Sequence, residues 1–206
     1  MSRLRKLHQK TDTPYLNYYE MEVEDRKGNA FSYYMASRAK KPEDLKMNTL
    51  ERPDRPDGVT IYSLYGEKRD RVVLVRQYRY TLGDYIYEFP AGLVEPGEDF
   101  HKAAIREMKE ETGLAFTPRK VDAMYEKPFY TTIGMTDECC SMVFGQASGT
   151  VSRDGLEDTE DLDVVLADRA EIQRILREER VAVMCAYMLM HFLQEDADPF
   201  GFLGKR

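Results

Sequence analysis

The sequence predicts an α/β (α+β) fold with a mixed sheet and packed helices, preceded by an N-terminal β-hairpin. Short apolar stretches with alternating polarity recur along the chain and are interleaved with segments of helical periodicity. The chain has 206 residues and is 42% hydrophobic, so a sizeable core is available. This length suits one domain with an appendage, or one domain and a small second one.

The N-terminal part is predicted to be β-structure. Residues Tyr15–Val23 and Ala30–Ala36 are rich in aromatic and alternating apolar residues, which predicts a hairpin. The polar, proline-containing stretch Ser37–Asp57 is then expected to be a loop or a connection. We therefore divide the chain into an N-terminal region, residues 1–57, and a larger domain, residues 58–206.

The larger domain is predicted to mix strands with three helices. Asp168 and Glu171 form a plausible capping box for one helix, and Gly113 is placed to end another. The predicted strands are Val59–Tyr65, Val72–Tyr78, Tyr85–Phe89, Arg119–Tyr125 and Cys140–Ala147, and the predicted helices are Asp99–Thr112, a segment starting at Asp168, and Val181–Gln194.

Composition excludes several classes of function. A net charge of −7 argues against a broad nucleic-acid footprint, which needs a basic surface. The longest apolar stretch is too short to span a bilayer, and the basic N-terminus lacks the apolar region of a signal peptide. The 3 cysteines offer neither a disulfide framework nor a CxxC knuckle. The expectation is a cytoplasmic protein without nucleic-acid or membrane partners.

Three carboxylates on one predicted helix carry the main chemical signal. Glu107, Glu110 and Glu111 have i, i+3, i+4 spacing, which places them within an arc of roughly 100°. Their mutual repulsion would be reversed by a hard divalent cation, while a solvated acidic face is the plainer alternative. Small or apolar residues on the same helix are expected to leave room or to pack on the sheet, namely Ala103, Ala104, Ile105 and Met108.

The flanking residues decide between these alternatives. The segment from Gly92 to Leu114 resembles the Nudix box, G-x5-E-x7-R-E-U-x-E-E-x-G-U with U apolar, at every fixed position. A chance match to seven fixed residues is roughly one in 10⁸ to 10⁹ per starting position at common residue frequencies. The sequence is therefore similar to the Nudix hydrolases, which implies an α/β/α sandwich and a loop–helix–loop around the box.

The resemblance implies a role for each residue of the box. Glu107 and Glu111 are expected to be catalytic as the main Mg²⁺ ligands, with Glu110 and the backbone carbonyl of Ala91 contributing. Mn²⁺ is expected to be able to substitute. The remaining fixed positions are expected to be structural, through a Glu98–Arg106 ion pair and close backbone turns, namely Gly92, Glu98, Arg106 and Gly113. The implied reaction is attack of an activated water on a pyrophosphate.

Residues before the box indicate a branch of the family. Val75–Arg79 and Glu88–Gly92 resemble the "RQYR" and "E-x-PAG" motifs of the ADP-ribose pyrophosphatase-like branch. Arg79, and with it Arg76, is expected to supply a guanidinium to a substrate phosphate. Glu88 is expected to lie near the metal or the substrate.

The stretch after the box resembles the catalytic loop of the same branch. In Thr131–Glu138 the final Glu138 is the candidate base, although Ile133 and Thr132 depart from the usual proline and serine. Related enzymes imply a homodimer in which the N-terminal region contacts the partner. Several aromatic residues there could stack on a base, with about half expected to face a core: Tyr15, Tyr18, Tyr19, Phe31, Tyr33 and Tyr34.

The implied substrate is a nucleoside diphosphate derivative. The leading expectation is hydrolysis of ADP-ribose to AMP and ribose 5-phosphate. A UDP- or GDP-sugar pyrophosphatase is the first alternative, because neighbouring branches share the box. A nucleotide-sensing Nudix domain without catalysis is the second, although the box is intact and no DNA-binding extension is evident.

Overall fold

The structure is a computed structural model that describes residues 3–49, 55–194 and 198–204. Its contacts divide the chain into two compact units. The first, which we call the N-terminal unit, combines the chain up to Asp57 with the segment Pro128–Cys140. The second, the catalytic unit, combines Gly58–Lys127 with the chain from Ser141 onward.

The regular elements alternate along the chain as the α/β prediction requires. The strands are β1 (Leu4–Gln9), β2 (Asn17–Glu24), β3 (Ala30–Ser37), β4 (Gly58–Tyr65), β5 (Arg71–Arg79), β6 (Asp84–Glu88), β7 (Ala91–Leu93), β8 (Ala115–Pro118), β9 (Phe129–Tyr130), β10 (Cys139–Ser148) and β11 (Leu162–Ala167). The helices are α1 (Phe100–Thr112), α2 (Ala123–Glu126), α3 (Arg169–Glu178) and α4 (Val183–Gln194), with 3₁₀ turns at Pro42–Asp44, Lys46–Asn48 and Gly201–Leu203.

The N-terminal unit contains a three-stranded antiparallel sheet in the order β1-β2-β3. The predicted hairpin is its β2–β3 pair, in continuous register from Asn17↔Ser37 to Glu24↔Ala30. Strand β1 was not predicted, because its apolar residues are only two leucines among basic side chains. One face of the sheet buries a small core of Tyr19, Met21, Met35 and Leu45.

The catalytic unit is a sheet covered by helices on both faces. The strand order is β11-β5-β4-β10-β8, with β6 also paired to β5 and β7 to β4. On one face, Ala103, Ala104 and Met108 of α1 pack against apolar residues of β4 and β5. On the other face, α3 and α4 cover the alternate residues of the same strands. Successive residues of a strand point to opposite faces, so two separate cores result.

Helix α1 begins and ends at the residues that the sequence indicates. The side chain of Asp99 accepts hydrogen bonds from the backbone N–H groups of His101 and Lys102, which caps the helix. Gly113 ends it in the left-handed region at φ 73°, where a side chain would be strained. The packing prediction is right for Met108, which is fully buried, and wrong for Ile105, which is exposed. Ala103 and Ala104 are fully buried in the core between α1 and the sheet.

Two predictions for the catalytic unit are corrected. The expected strand Arg119–Tyr125 is wrong, because strand β8 ends at Pro118 and helix α2 begins at Ala123. The side chain of Asp122 caps this helix by accepting the N–H of Met124. Strand β11 was missed because acidic residues precede and interrupt its apolar run. It nevertheless pairs with β5 from Leu162↔Gln77 to Ala167↔Val72 and completes one edge of the sheet.

The connection expected between residues 37 and 57 contains the two short 3₁₀ turns. Residues 50–54, including Pro53, lie outside the described part of the chain. Among the described residues, no helix is long and apolar enough to cross a membrane.

Candidate active site

Glu111 is the buried carboxylate of the site. It lies on the last turn of α1, is 3% exposed, and its Oε2 accepts the backbone N–H of Ala91 at 3.1 Å. Burial raises the pKa of Glu111 well above its ordinary value, and the neighbouring charge of Glu107 raises it further. The Ala91 amide and the positive charge of Arg79 act in the opposite direction. A buried carboxylate with one hydrogen bond from protein retains oxygen lone pairs for a cation.

The side chain of Glu107 lies against Gly92, the residue that follows Ala91 in strand β7. A Cβ built on Gly92 would lie 1.9 Å from Cδ of Glu107, so the carboxylate occupies the space of the missing side chain. Burial raises the pKa of Glu107, while Arg106 lowers it. Glycine is therefore favoured at position 92 because the Glu107 side chain approaches so closely. Its backbone conformation is not the reason, since the φ angle of Gly92 is not in the left-handed region.

Arg106 ties the loop before α1 to the carboxylates of the helix. Its Nε and Nη2 each donate to a Glu98 oxygen at 3.1 Å, which is the ion pair expected from the sequence. Its Nη2 also donates to the carbonyl of Leu93 at 3.0 Å. Its Nη1 donates to Glu107 at 2.7 Å and to Glu110 at 2.9 Å. The hydrogen bond from Arg106 lowers the pKa of Glu98, and that to Glu98 raises the pKa of Arg106.

Arg79 lies on the face of the sheet that carries α1. Along β5 it has the same parity as Val73, whose side chain packs in the core beneath α1. Its Nε and Nη2 donate to Oε2 of Glu88 at 2.8 and 2.5 Å. Glu88 lies opposite Val75 in strand β6 and so shares this face. Arg79 and Glu88 are therefore brought to the side of the sheet where Glu111 lies.

Arg76 is not brought to this cluster. It has the parity of Leu74 and pairs with Tyr87, and both of these side chains pack in the core under α3 and α4. Its guanidinium lies over the ring of Tyr85, 4.1 Å from the centroid. The structure thus separates the two arginines that were grouped by motif, and places Arg76 on the opposite face from Arg79.

Glu160 was not singled out from the sequence, although its charge acts on the carboxylates of α1. Its charge contributes to the raised pKa of both Glu107 and Glu111. The connection that carries it packs closely on the end of α1. A Cβ on Gly155 would lie 2.7 Å from the backbone oxygen of Glu110, and the N–H of Ser152 donates to Thr112 at 3.0 Å. Only this close packing identifies Glu160, because in sequence it is one acidic residue among several.

Glu138 lies in the N-terminal unit. Its Oε1 accepts hydrogen bonds from Nε and Nη2 of Arg38, both at 2.9 Å, and its Oε2 accepts one from the hydroxyl of Thr131 at 3.1 Å. Arg38 was not singled out from the sequence either. The aromatic residues of this unit are more exposed than expected, since Tyr19 is buried while Tyr15, Tyr18, Phe31, Tyr33 and Tyr34 are all exposed.

The donor set in the catalytic unit fits a hard divalent cation. Glutamate oxygens and a backbone carbonyl are the ligands that Mg²⁺ prefers. Burial raises the pKa of both Glu107 and Glu111, and the charges of neighbouring carboxylates add to the rise. Within the described residues, no three acidic, histidine or cysteine side chains are already arranged around one point as metal ligands. Glu107 and Glu110 instead accept hydrogen bonds from Nη1 of Arg106.

Comparison with known proteins assigns the family. A model of the NUDIX domain matches residues 54–184, which is more than half of the chain. The chain belongs to the Nudix family. The matched residues include the box, the Arg79 strand and Glu138, whereas Arg38 and the aromatic residues of the N-terminal sheet lie before the matched domain.

Individual proteins in the comparison indicate which members of the Nudix family this chain resembles. Nudix hydrolase 2 of Caenorhabditis elegans is 32% identical over 136 residues, which span 63% of this chain and 60% of that protein. An ADP-ribose pyrophosphatase of Bacillus subtilis is 34% identical over 93 residues, 45% of this chain and 47% of that one. The crystal structure of an ADP compounds hydrolase superposes with a TM-score of 0.65 at 19% identity, covering 94% of both chains. The Nudix fold and the resemblance to the ADP-ribose pyrophosphatase-like branch are thereby confirmed.

Proposed function

We propose that this Nudix protein hydrolyses the pyrophosphate bond of a nucleoside diphosphate derivative, with ADP-ribose as the preferred substrate and AMP and ribose 5-phosphate as products. The observation that carries the proposal is the buried Glu111, one turn from Glu107 on α1 and on the same face of the sheet as Arg79. The "RQYR" motif and the similarity to the Bacillus subtilis ADP-ribose pyrophosphatase favour ADP-ribose.

The proposed metal is Mg²⁺, for which Mn²⁺ can substitute. Glu107, Glu110 and Glu111 would hold it together with the carbonyl of Ala91. Glu160 is a further candidate ligand, because its charge raises the pKa of both Glu107 and Glu111. When bound, the ion would neutralise charge on the pyrophosphate oxygens and lower the pKa of water. Binding it requires Glu107 and Glu110 to turn from Arg106, which keeps its two hydrogen bonds to Glu98 and so still holds the loop in place.

Arg79 is proposed to bind a phosphate of the substrate. Its guanidinium is paired with Glu88 through Nε and Nη2, which orients the planar fork and leaves Nη1 outside this ion pair. Glu138 is proposed to take the proton of the attacking water, and Glu160 is the competing residue for that role. Replacing each by glutamine separates them, because only the base should lose kcat by about 10²–10⁴-fold while metal affinity is unchanged.

The alternatives differ from the proposal in measurable ways. A UDP- or GDP-sugar pyrophosphatase would use the same carboxylates with a different nucleoside pocket. A non-catalytic sensor would bind a nucleotide without cleaving it. The intact carboxylate cluster favours catalysis, since an acidic group buried like Glu111 costs stability that a binding module has no need to bear.

A hydrolysis panel tests the proposal. Phosphatase-coupled assays with Mg²⁺ would compare ADP-ribose, UDP-glucose, GDP-mannose, NADH and diadenosine polyphosphates, with Glu111→Gln as the metal-site variant and Ile105→Ala as an exposed control on the same helix. Preference for ADP-ribose that is lost only in Glu111→Gln supports the proposal. Preference for another nucleotide sugar changes the substrate, and full activity in Glu111→Gln refutes the metal site.

We also propose that the protein is a homodimer that uses the N-terminal unit as a contact. The exposed face of its sheet carries Tyr18 and Tyr34, whose rings stack with centroids 5.8 Å apart. Light scattering after size-exclusion chromatography should give twice the chain mass, and Tyr18→Glu with Tyr34→Glu should reduce it. A monomer mass for the unchanged protein at assay concentration would refute the dimer.

A further inference from the structure

The segment that carries Glu138 is held by the N-terminal unit along its whole length. The backbone N–H of Ala36, at the end of β3, donates to the carbonyl of Met135 at 2.9 Å. The hydroxyl of Tyr33 donates to the carbonyl of Gly134 at 2.7 Å. The tip of the segment is thus bound through its backbone, so its position is set by strand β3 and is independent of the side chains at the tip.

The base of the same segment is bound by the end of the 37–57 connection. Asp57 and Cys139 exchange two hydrogen bonds, from the N–H of Asp57 to the Cys139 carbonyl at 2.8 Å and from the N–H of Cys139 to Oδ2 of Asp57 at 2.9 Å. The N–H of Lys46 donates to Oδ2 of Asp137 at 3.0 Å. Glu138 is therefore flanked by two residues that are anchored within this unit.

The carboxylate of Glu138 is itself fixed by two donors. Arg38 donates to Oε1 through both Nε and Nη2 at 2.9 Å, and Thr131 donates to Oε2 at 3.1 Å. Each oxygen of the carboxylate thus has a separate partner, which fixes the rotation of the group as well as its position. Charge-assisted hydrogen bonds from a planar guanidinium are among the stronger and more directional ones in proteins.

Arg38 can act as a support because its own backbone is anchored. The residue before it, Ser37, is buried at the end of β3. The carbonyl of Ala39, the residue after it, accepts hydrogen bonds from the hydroxyl of the buried Tyr19 at 2.9 Å and from the amide of Asn17 at 3.2 Å. The core of the N-terminal sheet therefore determines where the guanidinium lies.

We propose that Arg38 is a positioning residue that acts on the reaction through Glu138. This inference rests on the proposed function, because it requires Glu138 to act on the attacking water. Arg38 holds one carboxylate oxygen and orients the group, so that the second oxygen, to which the hydroxyl of Thr131 donates, is the one proposed to accept the proton.

A double-mutant cycle tests this mechanism. Steady-state kinetics with ADP-ribose and Mg²⁺ would compare Arg38→Ala, Glu138→Gln and the double variant. We expect Glu138→Gln to lower kcat by about 10²-fold or more, as for loss of a general base, and Arg38→Ala to lower it by about tenfold with KM within about twofold. The double variant should match Glu138→Gln within about twofold, since a residue that acts only through another adds nothing once that residue is gone.

Two further variants keep the test independent of folding. Arg38→Lys retains the charge but loses the fork, and should recover part of the rate lost in Arg38→Ala. Arg5→Ala removes a similarly exposed arginine from an ion pair with Glu24 in the same sheet, and should leave kcat unchanged. Thermal melting of each variant would show whether the N-terminal unit is intact.

The possible failures are distinguishable. Effects of Arg38→Ala and Glu138→Gln that multiply, or a rise in KM with kcat unchanged in Arg38→Ala, would overturn the positioning role. A normal kcat in Glu138→Gln would also overturn the positioning role of Arg38. If Glu111→Gln is inactive in the same assays, the proposed function would still stand. Full activity in Glu111→Gln would instead refute the proposed function itself.

Discussion

Gly92→Ala offers a direct test of how α1 meets strand β7. The new Cβ would lie 1.9 Å from Cδ of Glu107, 2.1 Å from its Oε1 and 2.3 Å from its Oε2. Since carbon atoms ordinarily approach to about 3.5 Å, the carboxylate must move by about 1.6 Å. A displacement of about 1 Å at a reacting group can cost about 10²-fold in rate, so we expect kcat to fall by about 10²-fold or more.

Stability should change far less than activity in this variant. The atoms that clash belong to the end of a flexible side chain, and the backbone at Gly92 is not left-handed, so alanine can adopt it. Alanine also reduces the entropy of the unfolded chain, which stabilises by about 0.4–1 kcal/mol and offsets part of the cost of moving Glu107. A net change of about 1 kcal/mol would shift Tm by only roughly 2–4 °C in a protein of this size.

The assay compares Gly92→Ala, Glu107→Gln and the double variant in thermal melting and in Mg²⁺-dependent hydrolysis. If the methyl group acts by displacing Glu107, then the two single variants should be similar and the double variant no worse than either. Unchanged kcat and unchanged Mg²⁺ dependence in Gly92→Ala would show that the position of the Glu107 carboxylate does not matter to the reaction, and would refute this reasoning.

Three further predictions concern other parts of the site. Arg79→Ala should mainly raise KM for ADP-ribose, by about tenfold or more if one charged hydrogen bond of 1.5–3 kcal/mol is lost, and an unchanged KM would remove Arg79 from the phosphate site. Gly155→Ala should lower kcat as Glu160→Gln does, because its Cβ would lie 2.7 Å from backbone and force the connection to shift; full activity in either variant would exclude Glu160. Burial raises the pKa of the Cys140 thiol to about 12, so its alkylation in the native protein should be very slow at pH 8 and rise about tenfold per pH unit up to about pH 11, as the thiolate fraction does; fast labelling at pH 8 would contradict the buried environment.

The sequence predicts the helix of the site well because its ends have local causes. The side-chain cap at Asp99 and the left-handed Gly113 depend on residues within one turn, and the predicted end at Gly113 is confirmed. The ion pair of Glu98 with Arg106, which the resemblance to the Nudix box implies, is also present. The match to the Nudix box adds the family, which the NUDIX domain match confirms.

What the sequence does not show depends on contacts distant along the chain. Glu160 is indistinguishable from neighbouring acidic residues until the close approach at Gly155 is known. Arg38 is an ordinary arginine after a strand until its distance to Glu138 is measured. Arg76 and Arg79 look equivalent in a motif, although strand alternation alone would have separated them.

The N-terminal unit is built from two stretches of chain, one ending at Asp57 and the other running from Pro128 to Cys140. Recombination at a single crossover between this protein and a homologue would therefore join a sheet from one parent to a Glu138 segment from the other. In such a chimera, Tyr33, Arg38 and Asp57 would have to bind a Glu138 segment that comes from the other parent. Transfer of the N-terminal unit between family members should therefore succeed only when both stretches of chain are exchanged together.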